Sequence, residues 1–207
     1  MGLYEALRGV AGLLLGPAAW LAWRELPWHE WSADARTATG EQRRMQLADG
    51  TRLLLNTATA VDIQYTAEQR VLWLRTGEIL LTTGKDPAPV HRPFIVRTAQ
   101  GSVQALGTRF LVRDERGGIR VAVFEGAVAI RPAASDAQRV LRAGQQTVFD
   151  AGRIEPESAA DAAQVSWEDG MLAARNWRLA DLVAELARYR EVRERYVTVT
   201  EFSTTGG

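Results

Sequence analysis

No cysteine occurs in the 207 residues. That excludes a disulfide framework, a thiolate nucleophile and any cysteine-based metal site. Histidine is nearly as scarce. His29 and His91 stand alone with no partner at ligand spacing, so no metal site is expected. Lysine appears once, as Lys85, and the other basic side chains are arginine. Lysine and arginine together number 25 against 25 aspartate and glutamate, so the formal net charge is zero. A nucleic-acid binder needs a concentrated basic face, and a balanced chain gives no reason to expect one. A Ser-His-Asp set, a phosphate-binding loop and a dinucleotide fingerprint are also missing, so no cofactor and no ordinary enzyme activity is expected. What remains is 46% apolar and 24% charged, an ordinary balance for one or two folded domains.

The central stretch, Thr98 to Ile130, alternates at period two and is broken by glycine pairs. Phe110 and Val112 alternate with Arg109, Leu111 and Arg113. Gly117-Gly118 turns the chain into Ile119, Val121 and Val123, and Glu125-Gly126 turns it into Val128 and Ile130. This is the sequence form of a β-meander with one buried face. An earlier stretch echoes it. Gly50-Thr51-Arg52-Leu53-Leu54-Leu55 matches Gly107-Thr108-Arg109-Phe110-Leu111-Val112 at an offset of 107 − 50 = 57 residues. Leu74-Arg75-Thr76-Gly77-Glu78 likewise matches Val123-Phe124-Glu125-Gly126-Ala127. The expected fold is mainly β, a duplicated meander forming a roll or sandwich. Asp49-Gly50 and Gly77-Glu78 read as turns, not as a catalytic pair of carboxylates.

The ends differ from the middle. Gly9 to Trp23 is a run of 15 uncharged residues, followed by Arg24-Glu25 and flanked by Trp20, Trp23, Trp28 and Trp31. A membrane-spanning helix prefers about 20 apolar residues, and tryptophan favours the membrane interface. Residues 1–31 therefore read as a membrane anchor, with a buried core helix or a cleaved signal peptide ending near Ala33-Asp34-Ala35 as alternatives. Residues 32–42 read as a linker, 43–155 as the all-β domain and 156–166 as a second linker. Residues 167–207 read as a small α/β tail. In the tail Leu179, Leu182, Val183 and Leu186 follow helical spacing, with Asn176 a plausible cap, and Tyr196 to Thr200 alternates like a strand.

Six blocks in order, DGTRLLLN, LRTGEILL, PFIVRTAQGSVQALGTRFLV, VAVFEGAVAI, LRAGQQ and WEDGML, resemble the periplasmic region of FecR-type anti-sigma regulators. That resemblance implies a single-pass protein of the bacterial inner membrane whose C-terminal part is periplasmic. It also implies two partners. One is a sigma factor of the extracytoplasmic-function type, held through a cytoplasmic domain. Only eight residues precede the apolar run, so the resemblance places that domain outside this sequence. The other is the signalling domain of a TonB-dependent outer-membrane transducer, for which a ferric siderophore is the usual cue. The tail resembles the start of a secretin-and-TonB short N-terminal (STN) domain, with Leu182, Tyr189, Val197 and Val199 as candidate partner contacts. Alternatively, its helix only covers the open end of the β core. Some members of the family cut themselves at the glycine-threonine that matches Gly107-Thr108, the threonine hydroxyl attacking the preceding carbonyl. The other reading of this dipeptide is a turn into a strand. An envelope-associated structural or polymer-binding β module, without a sigma-factor partner, is the alternative function.

Overall fold

The computed structural model describes residues 33–174 and 177–189. The anchor segment 1–31, Asn176 and the strand expected at 196–200, with Val197 and Val199, lie outside the described residues. Among the described residues no helix is long and apolar enough to cross a membrane.

Fourteen strands form two seven-stranded sheets. The first has the order β1 (Ala35–Arg36), β4 (Ala60–Tyr65), β5 (Arg70–Thr76), β7 (Phe94–Thr98), β8 (Gly101–Ala105), β11 (Ala127–Pro132), β12 (Arg139–Arg142). The second runs β14 (Ser158–Ala159), β13 (Gln145–Phe149), β10 (Gly118–Glu125), β9 (Arg109–Glu115), β6 (Glu78–Thr82), β3 (Arg52–Leu55), β2 (Arg43–Gln46). One core joins them. Val61, Leu72, Val96, Val103 and Ile130 from the first sheet meet Leu53, Ile79, Phe110, Val121 and Phe149 from the second. The mainly β sandwich expected from the alternation is the observed architecture.

The connections differ from a plain meander. The chain leaves β5 in the first sheet at Gly77, enters β6 in the second, and returns to lay β7 parallel to β5. It likewise crosses at Gly107 from β8 to β9 and at Gly126 from β10 to β11. Each crossing glycine has positive φ, +92° at Gly77, +82° at Gly107 and +73° at Gly126, a region that costs other residues a Cβ–carbonyl clash. Register shifts precede two of them. Arg75 is the extra residue opposite Ala60-Val61, and Phe124 the extra one opposite Arg109-Phe110. Such bulges sharpen the local twist and bend a strand out of its sheet.

The duplication is real, but its register is not the one read from sequence identity. The bulge–glycine unit recurs at 126 − 77 = 49 residues, with β4 and β9 starting 109 − 60 = 49 apart. The two copies, β2–β6 and β7–β11, occupy the sheets in exchanged order. The counterpart of Gly107-Thr108 is therefore Ala58-Thr59, at the β3–β4 crossing, and Gly50-Thr51 belongs to a hairpin within one sheet. Ala58 is the one non-glycine with positive φ among the described residues, at 49°. An alanine there conceals the left-handed residue that glycine advertises in the second copy.

Both expected linkers need correction. Ala35 and Arg36, inside 32–42, pair with Val61 and Ala60. Ser158 and Ala159, inside 156–166, pair with Gln146 and Gln145. A 3-10 helix over Ala162–Asp169 follows, capped by the Asp161 carboxylate on the Ala163 N–H at 2.8 Å. Its Val165 and Trp167 cover Leu80, Leu111 and Ala122 on the outer face of the second sheet. Thus Leu111, on the face opposite Phe110, is also buried. Trp167, placed in the tail by the sequence reading, belongs to the β domain's cover. Two large apolar residues in an acid- and alanine-rich run are too few to set a period.

Candidate functional site

Among the described residues no group of three histidine, cysteine, aspartate or glutamate side chains could hold a metal ion. Chemistry concentrates at the two ends of the sandwich. In the β6–β9 ladder Thr82 faces Arg109 while Glu78 faces Arg113. The Gly107–Gly126 crossings and the Ala58–Gly77 crossings therefore lie at opposite ends.

At the first end the Thr108 hydroxyl donates to the Ala127 carbonyl at 2.8 Å and accepts from the Leu106 N–H at 3.1 Å. The Thr108 N–H donates to the Thr83 hydroxyl at 2.9 Å. Thr108 is buried, whereas Gly107 is exposed. These bonds pin one crossing to the other. The same clamp exists at Thr59, whose hydroxyl donates to the Glu78 carbonyl at 3.1 Å. No carboxylate or imidazole among the described residues hydrogen-bonds the Thr108 hydroxyl, and His91 is exposed on the loop between β6 and β7. Gly50-Thr51 is different again. There the Asp49 carboxylate accepts from the Thr51 N–H at 3.0 Å and from its hydroxyl at 2.8 Å, an Asx turn. Asp49 also meets Arg70 Nη1 at 2.7 Å, both side chains being nearly inaccessible. Burial opposes the Asp49 charge, yet the Thr51 donors and the Arg70 guanidinium outweigh it and hold its pKa below the usual value.

At the opposite end sits helix α1 (Leu179–Ala187), preceded by Arg178 as an N-cap without a side-chain hydrogen bond. It buries only Leu182 and Glu185. Glu185 reaches Arg113 Nη2 at 2.7 Å and Arg188 Nη1 at 2.6 Å, and Arg188 Nη1 also meets Glu78 Oε2 at 2.8 Å. Asn56 Nδ2 donates to the Tyr189 hydroxyl at 2.7 Å and to Glu78 Oε2 at 2.8 Å. Thr57 donates to the Arg188 carbonyl at 2.9 Å. Burial and the Glu78 charge push the Tyr189 phenol up to about 12, so it stays neutral at physiological pH and accepts from Asn56. Burial works against the Arg188 charge, but the Glu78 and Glu185 carboxylates raise its pKa above the usual arginine value.

Of the residues named from sequence, Leu182 lies in α1 and Tyr189 in the turn that follows it, and both face the β domain: Leu182 is buried and Tyr189 rests on Asn56. The exposed apolar residues of the helix are Leu179, Val183 and Leu186, at 68%, 56% and 38% exposure. Gly107 and Thr108 lie at the other end and do not join them. Glu78, Arg113, Glu185 and Arg188 were missed. The helix nevertheless sits on the open end of the β core, the second of the two readings given for it.

Residues 33–129 match the family model described as FecR protein. The match ends within β11, although the strand pairing continues to β14. A search of curated proteins finds no match. Two crystal structures, each of a putative anti-sigma factor from Parabacteroides distasonis ATCC 8503, at 1.65 Å and 2.50 Å resolution, are similar to the chain. The first has a TM-score of 0.64 and 25% identity over 75% of this chain and 74% of that one. The second has a TM-score of 0.63 and 25% identity over 75% and 73%.

Proposed function

We propose that this chain is the signal-receiving part of a transmembrane regulator that controls a sigma factor of the extracytoplasmic-function type. The observation that supports it best is the match of residues 33–129 to the FecR family model, set in a fold similar to solved anti-sigma candidates over three-quarters of the chain. The surface chemistry agrees: the two ends of the sandwich carry ion pairs, turns and an exposed apolar helix face, which suit partner contacts better than bond-breaking. Residues 1–31 anchor the chain in the bacterial inner membrane, and the β domain faces the periplasm. The signalling domain of a TonB-dependent transducer is the periplasmic partner, and ferric siderophore uptake the cue.

Leu182 and Tyr189 are engaged with the β domain, so the open face of α1, with Leu179, Val183 and Leu186, is the contact for that partner. Burying one aliphatic side chain contributes about 1.5–3 kcal/mol. Val183→Asp is therefore expected to weaken binding of a cognate transducer signalling domain by about tenfold or more, measured by calorimetry. Undiminished binding by both V183D and L179D would exclude this face.

Gly107-Thr108 carries a second activity, single-turnover self-cleavage. Two features favour it: an exposed glycine at positive φ, and a rotamer-restricted hydroxyl one residue on. The hydroxyl must first leave the Ala127 carbonyl to reach Gly107. Attack forms an ester and frees the Thr108 amine, and water then hydrolyses the ester. Mass spectrometry of the purified chain should show fragments meeting at 107/108 and none at the matching clamp, 58/59, with Thr108→Ala remaining whole. A parent chain that stays intact on long incubation leaves Thr108 as a clamp alone.

A further inference from the structure

Helix α1 is seated in an inverted way. Its apolar residues Leu179, Val183 and Leu186 face outward, while Glu185 is buried at 8% exposure. One leucine, Leu182, is the only apolar side chain of the helix that is buried. The remaining anchorage is a continuous polar chain in which Arg113 holds Glu185, Glu185 holds Arg188, and Arg188 holds Glu78. Glu78 is 2% exposed. The same Oε2 that meets Arg188 also accepts from Asn56, which supports Tyr189 as well. The site is specific to this end. The crossing glycine at the opposite end is followed by Ala127 where this end has Glu78, so no carboxylate stands at the equivalent position.

We propose that residues 179–189 form a salt-labile latch, which undocks from the sandwich as a unit while the two sheets stay folded. Apolar contacts are not weakened by sodium chloride, whereas attraction between ions falls as the Debye length shortens from about 10 Å at 0.1 M to about 3 Å at 1 M, most where water reaches the pair and least where it is buried. The guanidinium heads are within reach of counter-ions, with Arg113 and Arg188 side chains at 24% and 22% exposure. A helix of nine residues is too short to persist alone in water, so undocking and unwinding coincide. Releasing it opens Glu78 to solvent, where its charge is hydrated instead of buried. The latch thus has two states, one closed by ion pairs and one in which both sets of charges are solvated. This is distinct from the transducer contact, which uses the outward face of the docked helix.

Amide hydrogen exchange of the full chain tests the latch. Raising sodium chloride from about 0.05 M to about 1 M should speed exchange of the 179–189 amides by about tenfold or more, while β9 and β10 keep their protection. At low salt Glu185→Gln, which removes the charge that joins Arg113 to Arg188, should give the same fast exchange, and added salt should then speed it little further. Salt-independent exchange in the parent overturns the latch. So does an E185Q chain whose β strands are protected and whose helix still exchanges slowly at low salt. Should E185Q lose β protection as well, the salt response of the parent decides alone.

Discussion

Replacing Gly126 by valine is expected to lower stability by about 2–5 kcal/mol, the sum of a left-handed backbone term of about 1–2 and an overpacking term of about 1–3 kcal/mol. Gly126 has φ +73°, and a Cβ built there would overlap the Gly107 carbonyl oxygen and press on Thr108 Cα. That neighbour is backbone and cannot rotate away. The two crossings would have to separate, straining the Leu106 N–H to Ala127 carbonyl bond at 3.0 Å and the Thr108 clamp on the same carbonyl. Gly144 isolates the two terms. It has φ +81° and open space where a Cβ would stand. Gly144→Ala should therefore cost about 1–2 kcal/mol, the backbone term alone. Urea unfolding midpoints at constant slope give the comparison. A G126V chain no less stable than G144A would show that the close approach of the crossings contributes nothing.

The crossings also show what the sequence could and could not reveal. Period-two alternation located the central strands, because Phe110, Val112, Val121 and Val123 share one face toward the core. Glycine marked the turns at 77, 107 and 126, because only glycine takes those dihedrals at little cost. Alternation cannot say whether a glycine turns the chain within its sheet or carries it to the other one, so two crossings were read as hairpins. Identity then aligned Gly50-Thr51 with Gly107-Thr108, while the backbone aligns Ala58-Thr59 with them. In α1, helical spacing grouped Leu179 and Val183 with Leu182, and the structure turns the first two outward. The interactions that decided this join residues far apart in sequence, Glu185 with Arg113 and Arg188 with Glu78. Local pattern carries no trace of such pairs, and in a chain with 25 basic residues none of these arginines stands out.

Arg70 is the other missed arginine, and Arg70→Ala is expected to cost about 3–5 kcal/mol, the range for removing one partner of a buried ion pair. The side chain is 4% exposed and the Asp49 side chain 1%. Its Nη1 meets Asp49 at 2.7 Å, and its Nε and Nη2 donate to the Arg92 carbonyl at 3.1 and 2.8 Å. The guanidinium also lies 5.5 Å from the centre of the Phe94 ring. Deleting it leaves a buried carboxylate with the Thr51 donors but no counter-charge, and an Arg92 carbonyl without the guanidinium donors. The cost depends on pH in a fixed direction. The folded-state pKa of Asp49 is depressed, so its contribution to stability is present above the unfolded value of about 3.9 and is lost as pH falls through the folded value. The penalty of R70A arises from a charged Asp49. It should be largest near neutrality and shrink below about pH 4, where the carboxyl in the variant takes up a proton. Arg70→Met combined with Asp49→Asn gives a second reading. Asparagine can still accept the Thr51 N–H and carries no charge, so the double variant should be more stable at pH 7 than R70A. Urea unfolding at neutral and acidic pH measures all of these. An R70A penalty below about 1 kcal/mol, the level of an exposed pair, or one that grows on acidification, would show that the Arg70–Asp49 pair does not stabilise this end of the sandwich.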